Sequence, residues 1–290
     1  MRRTDHRVVL GLYRSRPERA LLEHALDIGV TDLDTAYNYQ GGASHRGLAR
    51  VAADLMPLFS VSTKVGYFPH GSYTEHSLDP ARLREAIQRA VAELGCPPAA
   101  VLLHNPEATL RTIDSKRGRD MLCAAVEVLI RACAAGECRR WGVSAWEPAS
   151  LVTVLDGPPP PLLPRPDVLM VRAGLLVHSR GLSDADRLCA ALGVEPARRW
   201  GMSPFGGRAD AALWELVNPR QFLTAGHQAS QHGAAFRVAY ELPGCERVAV
   251  STTGCEHLTE LVHARNLQVD RPKIIRYRQF LAARQSTLAD

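Results

Sequence analysis

The sequence predicts an α/β fold, a (β/α)8 TIM barrel built as a single domain over residues 1–290. Three observations lead there. Short apolar runs recur along the chain and each stops at a polar residue, at Asp34, Lys64, His104 and Ser144. Helix-like sequence separates each pair of runs, which implies parallel strands, because right-handed crossovers need intervening helices. The length of 290 residues is more than an ordinary domain needs. It suits one barrel of about 250 residues, and no compositional break marks a second domain.

The elements follow in order. Arg7 to Leu12 reads as the first strand, passing Gly11 and reaching Tyr13-Arg14, and Pro17-Glu18 opens a helix with Leu21, Leu22 and Ala25 on its apolar side. Val30-Thr31-Asp32-Leu33-Asp34-Thr35-Ala36-Tyr37-Asn38-Tyr39 begins as the second strand after the helix-ending Gly29. Gly41-Gly42-Ala43-Ser44 is a turn, with Ser44 expected to cap the next helix. Leu58 to Lys64 is the third strand. The segment from Val65 to Ser77 is too polar and aromatic for an element and reads as a rim loop.

Asp79-Pro80 is an N-cap with proline behind it, opening a helix that runs to Gly95. Ala100 to His104 is strand four, followed by the turn Asn105-Pro106-Glu107 and a long helix to Gly136. Arg139 to Ser144 is strand five. Gly157 to Pro161 reads as a stiff extended connector away from the rim. Asp167 to Arg172 is strand six, Ser183 to Leu192 its helix, and Trp200 to Pro204 strand seven. Helical pieces within 208–240 have no readable limits. Arg247 to Ser251 is strand eight, and Glu256 to Ala264 the last core helix.

Composition excludes several classes of function. The 35 basic and 30 acidic residues give +5 without charge blocks, too weak for nucleic acid yet suited to a phosphorylated ligand. No apolar run approaches the ~20 residues of a membrane span, and no apolar stretch follows the charged N-terminus as in a signal peptide. The seven cysteines are odd in number and show no CxxC pair, which fits reduced thiols in the cytoplasm. Cys133 and Cys138 have poor spacing for a shared metal, and no metal site is expected.

In a parallel barrel the carboxyl ends of all strands lie on one rim, where such proteins place their chemistry. Asp34, Lys64 and His104 therefore meet there, with Tyr39 in the loop above. A carboxylate, an ammonium, an imidazole and a phenol make a proton-transfer site. A phenol is a poor acid at its free pKa of about 10, and a neighbouring Lys64 ammonium is expected to lower it. Asp34 would hold that ammonium by a charge-assisted pair, and His104 would hydrogen-bond a carbonyl oxygen. Each residue also has a plainer reading. Asp34 alone suits a turn cap, Lys64 a solvated rim charge, His104 a core histidine and Tyr39 a packing aromatic. Their coincidence on one rim favours the chemical reading.

These segments resemble the aldo-keto reductases. Asp34-Thr35-Ala36-x-x-Tyr39 is similar to that family's D-T-A-x-x-Y segment, Ser62-Thr63-Lys64 to its third-strand lysine, and Leu102-Leu103-His104-Asn105-Pro106 to its fourth-strand histidine. Trp141-Gly142-Val143-Ser144 resembles the fifth-strand segment, and Ser203-Pro204-Phe205-Gly206-Gly207 the seventh. Thr252-Thr253-Gly254-Cys255-Glu256-His257-Leu258 resembles the phosphate-binding loop and last helix.

The resemblance implies hydride transfer between a nicotinamide cofactor, NADP(H) with NAD(H) as the other candidate, and a small carbonyl or alcohol substrate (an aldehyde, a ketone or a sugar). It implies Tyr39 as general acid/base with Lys64, Asp34 and His104. It implies cofactor contacts from Ser144, Met170, Ser203, Phe205, Gly207, Thr252, Thr253, Gly254 and His257.

Departures from the pattern concern the cofactor. Ala145 stands where the family has an Asn, Met170-Val171-Arg172-Ala173-Gly174 where it often has Gln-x-x-Tyr-Asn, and Leu261 where an Asn is common. They motivate a second reading, a non-redox dehydratase or isomerase on the same barrel. A third is a binding subunit that senses nucleotide. Outside the tetrad, Tyr67, His70, Tyr73 and His76 read equally well as substrate wall or polar loop. His178 and Arg180 read as solvated, Trp146 as cofactor lid or loop packing, and Cys255 as an inert thiol. Substrate identity depends on rim loops that carry no readable code.

Overall fold

In a computed structural model, eight parallel strands close into a barrel. The structure describes residues 7–13, 15, 17–71, 73–156, 163–210, 212–226 and 228–287. In chain order the elements begin with β1 (Arg7–Gly11), α1 (Arg19–Asp27), β2 (Asp32–Asp34), α2 (Ser44–Ala52) and β3 (Ser60–Val65). Next come β4 (Tyr67–His70), β5 (Tyr73–His76), α3 (Pro80–Leu94), β6 (Ala100–His104), α4 (Glu107–Leu110) and α5 (Ser115–Ala134). Then follow β7 (Trp141–Ala145), α6 (Ala149–Asp156), β8 (Val168–Arg172), α7 (Ser179–Ala191) and β9 (Arg199–Met202). The chain finishes with α8 (Leu213–Leu216), α9 (Gln231–Ala239), β10 (Arg247–Val250), α10 (Cys255–Ala264) and α11 (Arg271–Thr287). Around the barrel the order is β1-β10-β9-β8-β7-β6-β3-β2, while β4 and β5 form a separate antiparallel ribbon.

Side chains alternate across each strand, and this sorts the core into two layers. Val9, Leu102, Val168, Met170 and Trp200 point inward and fill the barrel. Their neighbours Leu103, Val143, Leu169 and Val171 point outward against the helices. Each fully buried leucine or valine contributes about 1.5–3 kcal/mol relative to exposure. At the amino end of the barrel Asp32 meets Arg247 at 2.6 Å, and that guanidinium lies 5.1 Å from the Trp200 ring centroid. Asp34, two residues on, shares Asp32's face but lies at the opposite rim. One strand thus places one paired carboxylate towards the amino end and another towards the carboxyl rim.

The predicted helix stop signals hold at α3. The Asp79 side chain accepts the Arg82 N–H at 2.9 Å, Pro80 follows, and Gly95 ends the helix at φ 73°. Ser44 does not cap α2 as expected. Its hydroxyl pairs instead with Thr35 Oγ1 at 2.8 Å and ties the helix to the end of β2.

Other expectations need correction. Residues 65–77 are not a plain loop: Tyr67 pairs with His76 and His70 with Tyr73 in the β4–β5 ribbon, turning at Gly71 with φ 58°. The ribbon has one buried residue on β4, Phe68, beneath the Arg82 guanidinium, so the period-2 signal was too short to read. The helix predicted from Ser183 starts at Ser179 because His178 caps it, Nδ1 accepting the Gly181 N–H at 3.0 Å. The poorly patterned C-terminal segment forms α11, whose Tyr277 hydroxyl donates to the Leu175 carbonyl. The proline connector at 157–161 lies outside the described residues, as does Arg14.

Candidate active site

Parallel register sets the site. Asp34 pairs across the sheet with Ser62, and Lys64 stands two residues further along the same face of β3. The Ser62 hydroxyl donates to Asp34 Oδ1 at 2.9 Å, and Lys64 Nζ donates to Asp34 Oδ2 at 2.5 Å and to the Thr35 carbonyl at 2.9 Å. The loop after β2 is pinned by Thr35 N–H to the Ser62 carbonyl and Tyr37 N–H to the Lys64 carbonyl. It then turns through left-handed Gln40 and Gly41, whose φ values are 55° and 64°. Tyr39 stands just before that turn, with its hydroxyl 3.4 Å from Lys64 Nζ. The His104 ring lies edge-on to Tyr39 with centroids 6.0 Å apart. The four residues expected to meet therefore do meet, and Asp34, Lys64 and His104 are buried.

Electrostatics corrects one detail. Burial raises the Tyr39 pKa more than the Lys64 charge lowers it, so the phenol titrates above, not below, its ordinary value. Burial also works against the Lys64 ammonium, but Asp34 and Tyr39 more than offset it and hold the ammonium above the ordinary lysine range. His104 is pushed well below its ordinary value by burial, then by Lys64 and His76, and stays neutral. At neutral pH the arrangement is thus a protonated phenol, a paired ammonium and a neutral imidazole.

Above them opens a cavity of about 990 Å³. Met170, Ser203, Phe205 and Gly207 line it, as do Thr252, Thr253 and His257 on the β10 side. Two predicted contacts do not reach this wall. Ser144 is fully buried, its hydroxyl donating to the Leu103 carbonyl and to Asn105 Oδ1, each at 3.3 Å. Gly254 instead precedes α10, its N–H donating to Thr252 Oγ1.

The structure adds Asn38, Asn105 and Tyr13 to the cavity. Asn105 adopts φ 52° directly after His104, the kind of backbone strain that gathers at functional sites. No spacing rule in the sequence could have revealed it. Tyr67 stacks edge-on to His104 at 4.8 Å and also lines the cavity, as does Trp146. His76 stands behind, its Nε2 2.9 Å from the His104 carbonyl oxygen. His178 and Arg180 are engaged on α7 itself, the first in its cap and the second 3.8 Å from Asp184.

The cavity's polar groups suit a dinucleotide. The Ser203 hydroxyl is buried without a hydrogen-bond partner among the described residues, on a residue held at φ 56°. The first turn of α10 has no side-chain cap, which leaves its amides to an anion such as a phosphate. Gly206 lines the cavity at φ 70°, and a Cβ there would sit 2.9 Å from the Leu176 side chain, so the backbone packs tightly on Leu176.

Comparison with known proteins decides the family. The model of the aldo/keto reductase family matches residues 14–205. The chain belongs to that family. No curated protein sequence matches it. Among solved structures it resembles an aldo-keto reductase from Bacillus halodurans in its holo form, at 16% identity and TM-score 0.70, covering 94% of this chain and 91% of that one. An aldo/keto reductase from Klebsiella pneumoniae in complex with NADP and acetate gives 17% identity, TM-score 0.65 and coverage of 94% and 90%. An aldose reductase from Giardia lamblia gives 14%, 0.64, and 96% and 92%. At these identities the likeness is one of fold.

In this aldo-keto reductase the departures have clear structural outcomes. Ala145 and Ala173 are buried among apolar residues outside the cavity wall, while Leu261 lines the cavity itself. Gly174, beside Ala173, holds φ 111°, and a Cβ there would meet the Pro204 carbonyl oxygen at 2.6 Å. The Ala-Gly pair therefore lets the ends of β8 and β9 close together. Cys133 and Cys138, unpromising as a metal pair, place their sulfurs 3.2 Å apart, and no metal-binding cluster occurs among the described residues. No helix among the described residues is long and apolar enough to cross a membrane.

Proposed function

We propose that this aldo-keto reductase moves a hydride between NADP(H) and a small aldehyde, ketone or sugar-like substrate, with Tyr39 as the general acid/base. The observation that carries the reading is the hydrogen-bonded chain Asp34–Lys64–Tyr39, ending beside His104 at the floor of one cavity. Ser203 and the α10 N-terminus are the groups that would hold the cofactor, with Thr252, Thr253 and His257 beside them. When bound, the nicotinamide supplies or accepts the hydride, chemistry for which the chain has no group of its own.

The chain's own work is proton management. Reduction of a carbonyl leaves an alkoxide, and the raised pKa keeps the Tyr39 proton in place until that charge develops. Lys64 then stabilises the phenolate left behind, and Asp34 keeps the ammonium charged and aimed. His104, being neutral, can donate a ring N–H to the carbonyl oxygen without bringing a second cation beside Lys64. Positioned acid catalysis of this kind contributes about 10²–10⁴-fold. A cytoplasmic setting is supported by cysteines that stand as free thiols.

Titration with NADPH and NADH, followed by fluorescence, tests the reading. Binding of NADPH below millimolar concentration is expected; binding of neither nucleotide at millimolar concentration would overturn it. The burial of Ala145 and Ala173 away from the cavity supports a second reading, non-redox elimination or isomerisation on the same tetrad. Turnover by nucleotide-free protein would establish that alternative, and strict nucleotide dependence would end it.

A further inference from the structure

Arg172 has no role in the chemistry above; it ends a strand at the same rim, behind Trp146 and outside the residues that line the cavity directly. It ends β8 on the inward face shared with Val168 and Met170, and Met170 lines the cavity. Its register partner on β9 is Met202, another cavity residue. The guanidinium carbon lies 4.8 Å from the centroid of Trp146, which stands in the cavity wall and is 38% exposed.

The side chain is half-buried, and its Nε is buried with no hydrogen-bond partner. Among the described residues it makes no ion pair; Glu147 influences it through charge alone, beyond contact distance. The cations that line the cavity are engaged, Lys64 by Asp34 and Arg208 by Asp210. A planar fork of donors that is half-buried, stacked on an aromatic ring and without an ion-pair partner among the described residues is open to an acceptor. The acceptor that best matches it is a planar oxyanion, bound by two parallel hydrogen bonds.

We propose that Arg172 is a specificity residue that binds a carboxylate on the substrate, so that the preferred carbonyl compounds are oxo-acids or aldehydes bearing a remote carboxyl group. This rests on the cavity being the carbonyl site proposed above. In that arrangement Trp146 stacks against the guanidinium and limits its rotamers, while the carbonyl end of the substrate lies towards Tyr39 and His104. A competing acceptor is the carboxamide of the cofactor. A carboxamide oxygen is neutral and leaves the guanidinium charge uncompensated, so the geometry favours the carboxylate.

The test compares 4-carboxybenzaldehyde with the isosteric, uncharged 4-nitrobenzaldehyde. Binding to the protein saturated with NADP+, where no reduction can run, is followed by quenching of tryptophan emission. The wild-type chain is expected to bind the carboxylated aldehyde at least tenfold tighter. Arg172→Met is expected to raise its Kd about 10–100-fold while leaving the nitro compound within about threefold, and Arg172→Lys to recover part of the loss.

Equal shifts for the two aldehydes, or no wild-type preference for the carboxylate, would overturn the assignment. So would a loss of NADP+ affinity in Arg172→Met without any change in carboxylate preference, which would give the guanidinium to the cofactor. Should Arg172→Met not fold, the wild-type preference and the Arg172→Lys variant still decide. If NADP+ does not bind at all, the oxidoreductase reading fails, and the same aldehyde titrations against the nucleotide-free protein judge Arg172 separately.

Discussion

The Lys64 ammonium and the Asp34 carboxylate lie 2.5 Å apart inside the barrel, at side-chain exposures of 2% and 7%. So dry a pair is costly to form and more costly to break, since removing one partner strands the other. Lys64→Met is therefore expected to destabilise the protein by about 3–5 kcal/mol at neutral pH, measured by urea unfolding. Adding Asp34→Asn should restore part of that stability, because no buried charge remains, while activity stays lost. Equal instability in the single and double variants would contradict a stranded Asp34 charge as the source of the loss.

Lys64 also has a pH signature. Its folded pKa lies above the ordinary value of 10.5, so the pair's stabilisation is complete below that value. It disappears as pH rises through the folded pKa. Wild-type stability should thus decline in strongly alkaline solution more steeply than that of the double variant, as a pH series of unfolding curves would reveal.

Glu107 gives a dependence of the same sign at lower pH. Its Oε1 accepts the N–H groups of Trp146 at 2.5 Å and Glu147 at 3.0 Å, while Oε2 is buried without a partner. Burial, against those hydrogen bonds, raises the carboxyl from 4.5 to about 7. The folded chain holds this proton more tightly than the unfolded one, so stability falls as pH rises from 4.5 to about 7 and is level above. Glu107→Gln keeps an acceptor oxygen and removes the charge. It should be more stable than the wild type at pH 8, by at most roughly 3 kcal/mol at 1.36 per pKa unit, with the advantage gone at pH 4. A variant less stable than wild type at both pH values would contradict this.

Gly174 links packing to the cavity wall at Pro204. An added Cβ would lie 2.6 Å from the Pro204 carbonyl oxygen, on a residue already at φ 111°. Gly174→Ala should cost about 1–3 kcal/mol and displace the Ser203–Pro204 segment. Weaker NADPH binding with the lowered stability is the expected pairing; unchanged affinity would separate this turn from the cofactor site.

Much of the barrel was legible because its signal is local. Strands ending at, or one residue past, Asp34, Lys64, His104 and Ser144 recur with helices between them, and parallel topology then forces their ends onto one rim. Features that depend on tertiary contact were hidden. The β4–β5 ribbon carries a single buried residue on its first strand, and α11 mixes exposed Ile275 and Phe280 with buried Ile274, so neither shows a clean period. Likewise the sequence could place Lys64 beside Tyr39, but not weigh that charge against the burial that dominates the phenol. Arg172 looked like part of a family departure; its unpaired guanidinium became visible only with its neighbours in place.

Tyr39 bears the central claim. The direct measurement is NADPH-dependent reduction of an aldehyde by wild-type protein and Tyr39→Phe, with NADPH affinity determined on both. A fall of about 10²–10⁴-fold in kcat at nearly unchanged NADPH Kd is the expected result. A Tyr39→Phe variant that keeps half of the wild-type rate would contradict the account.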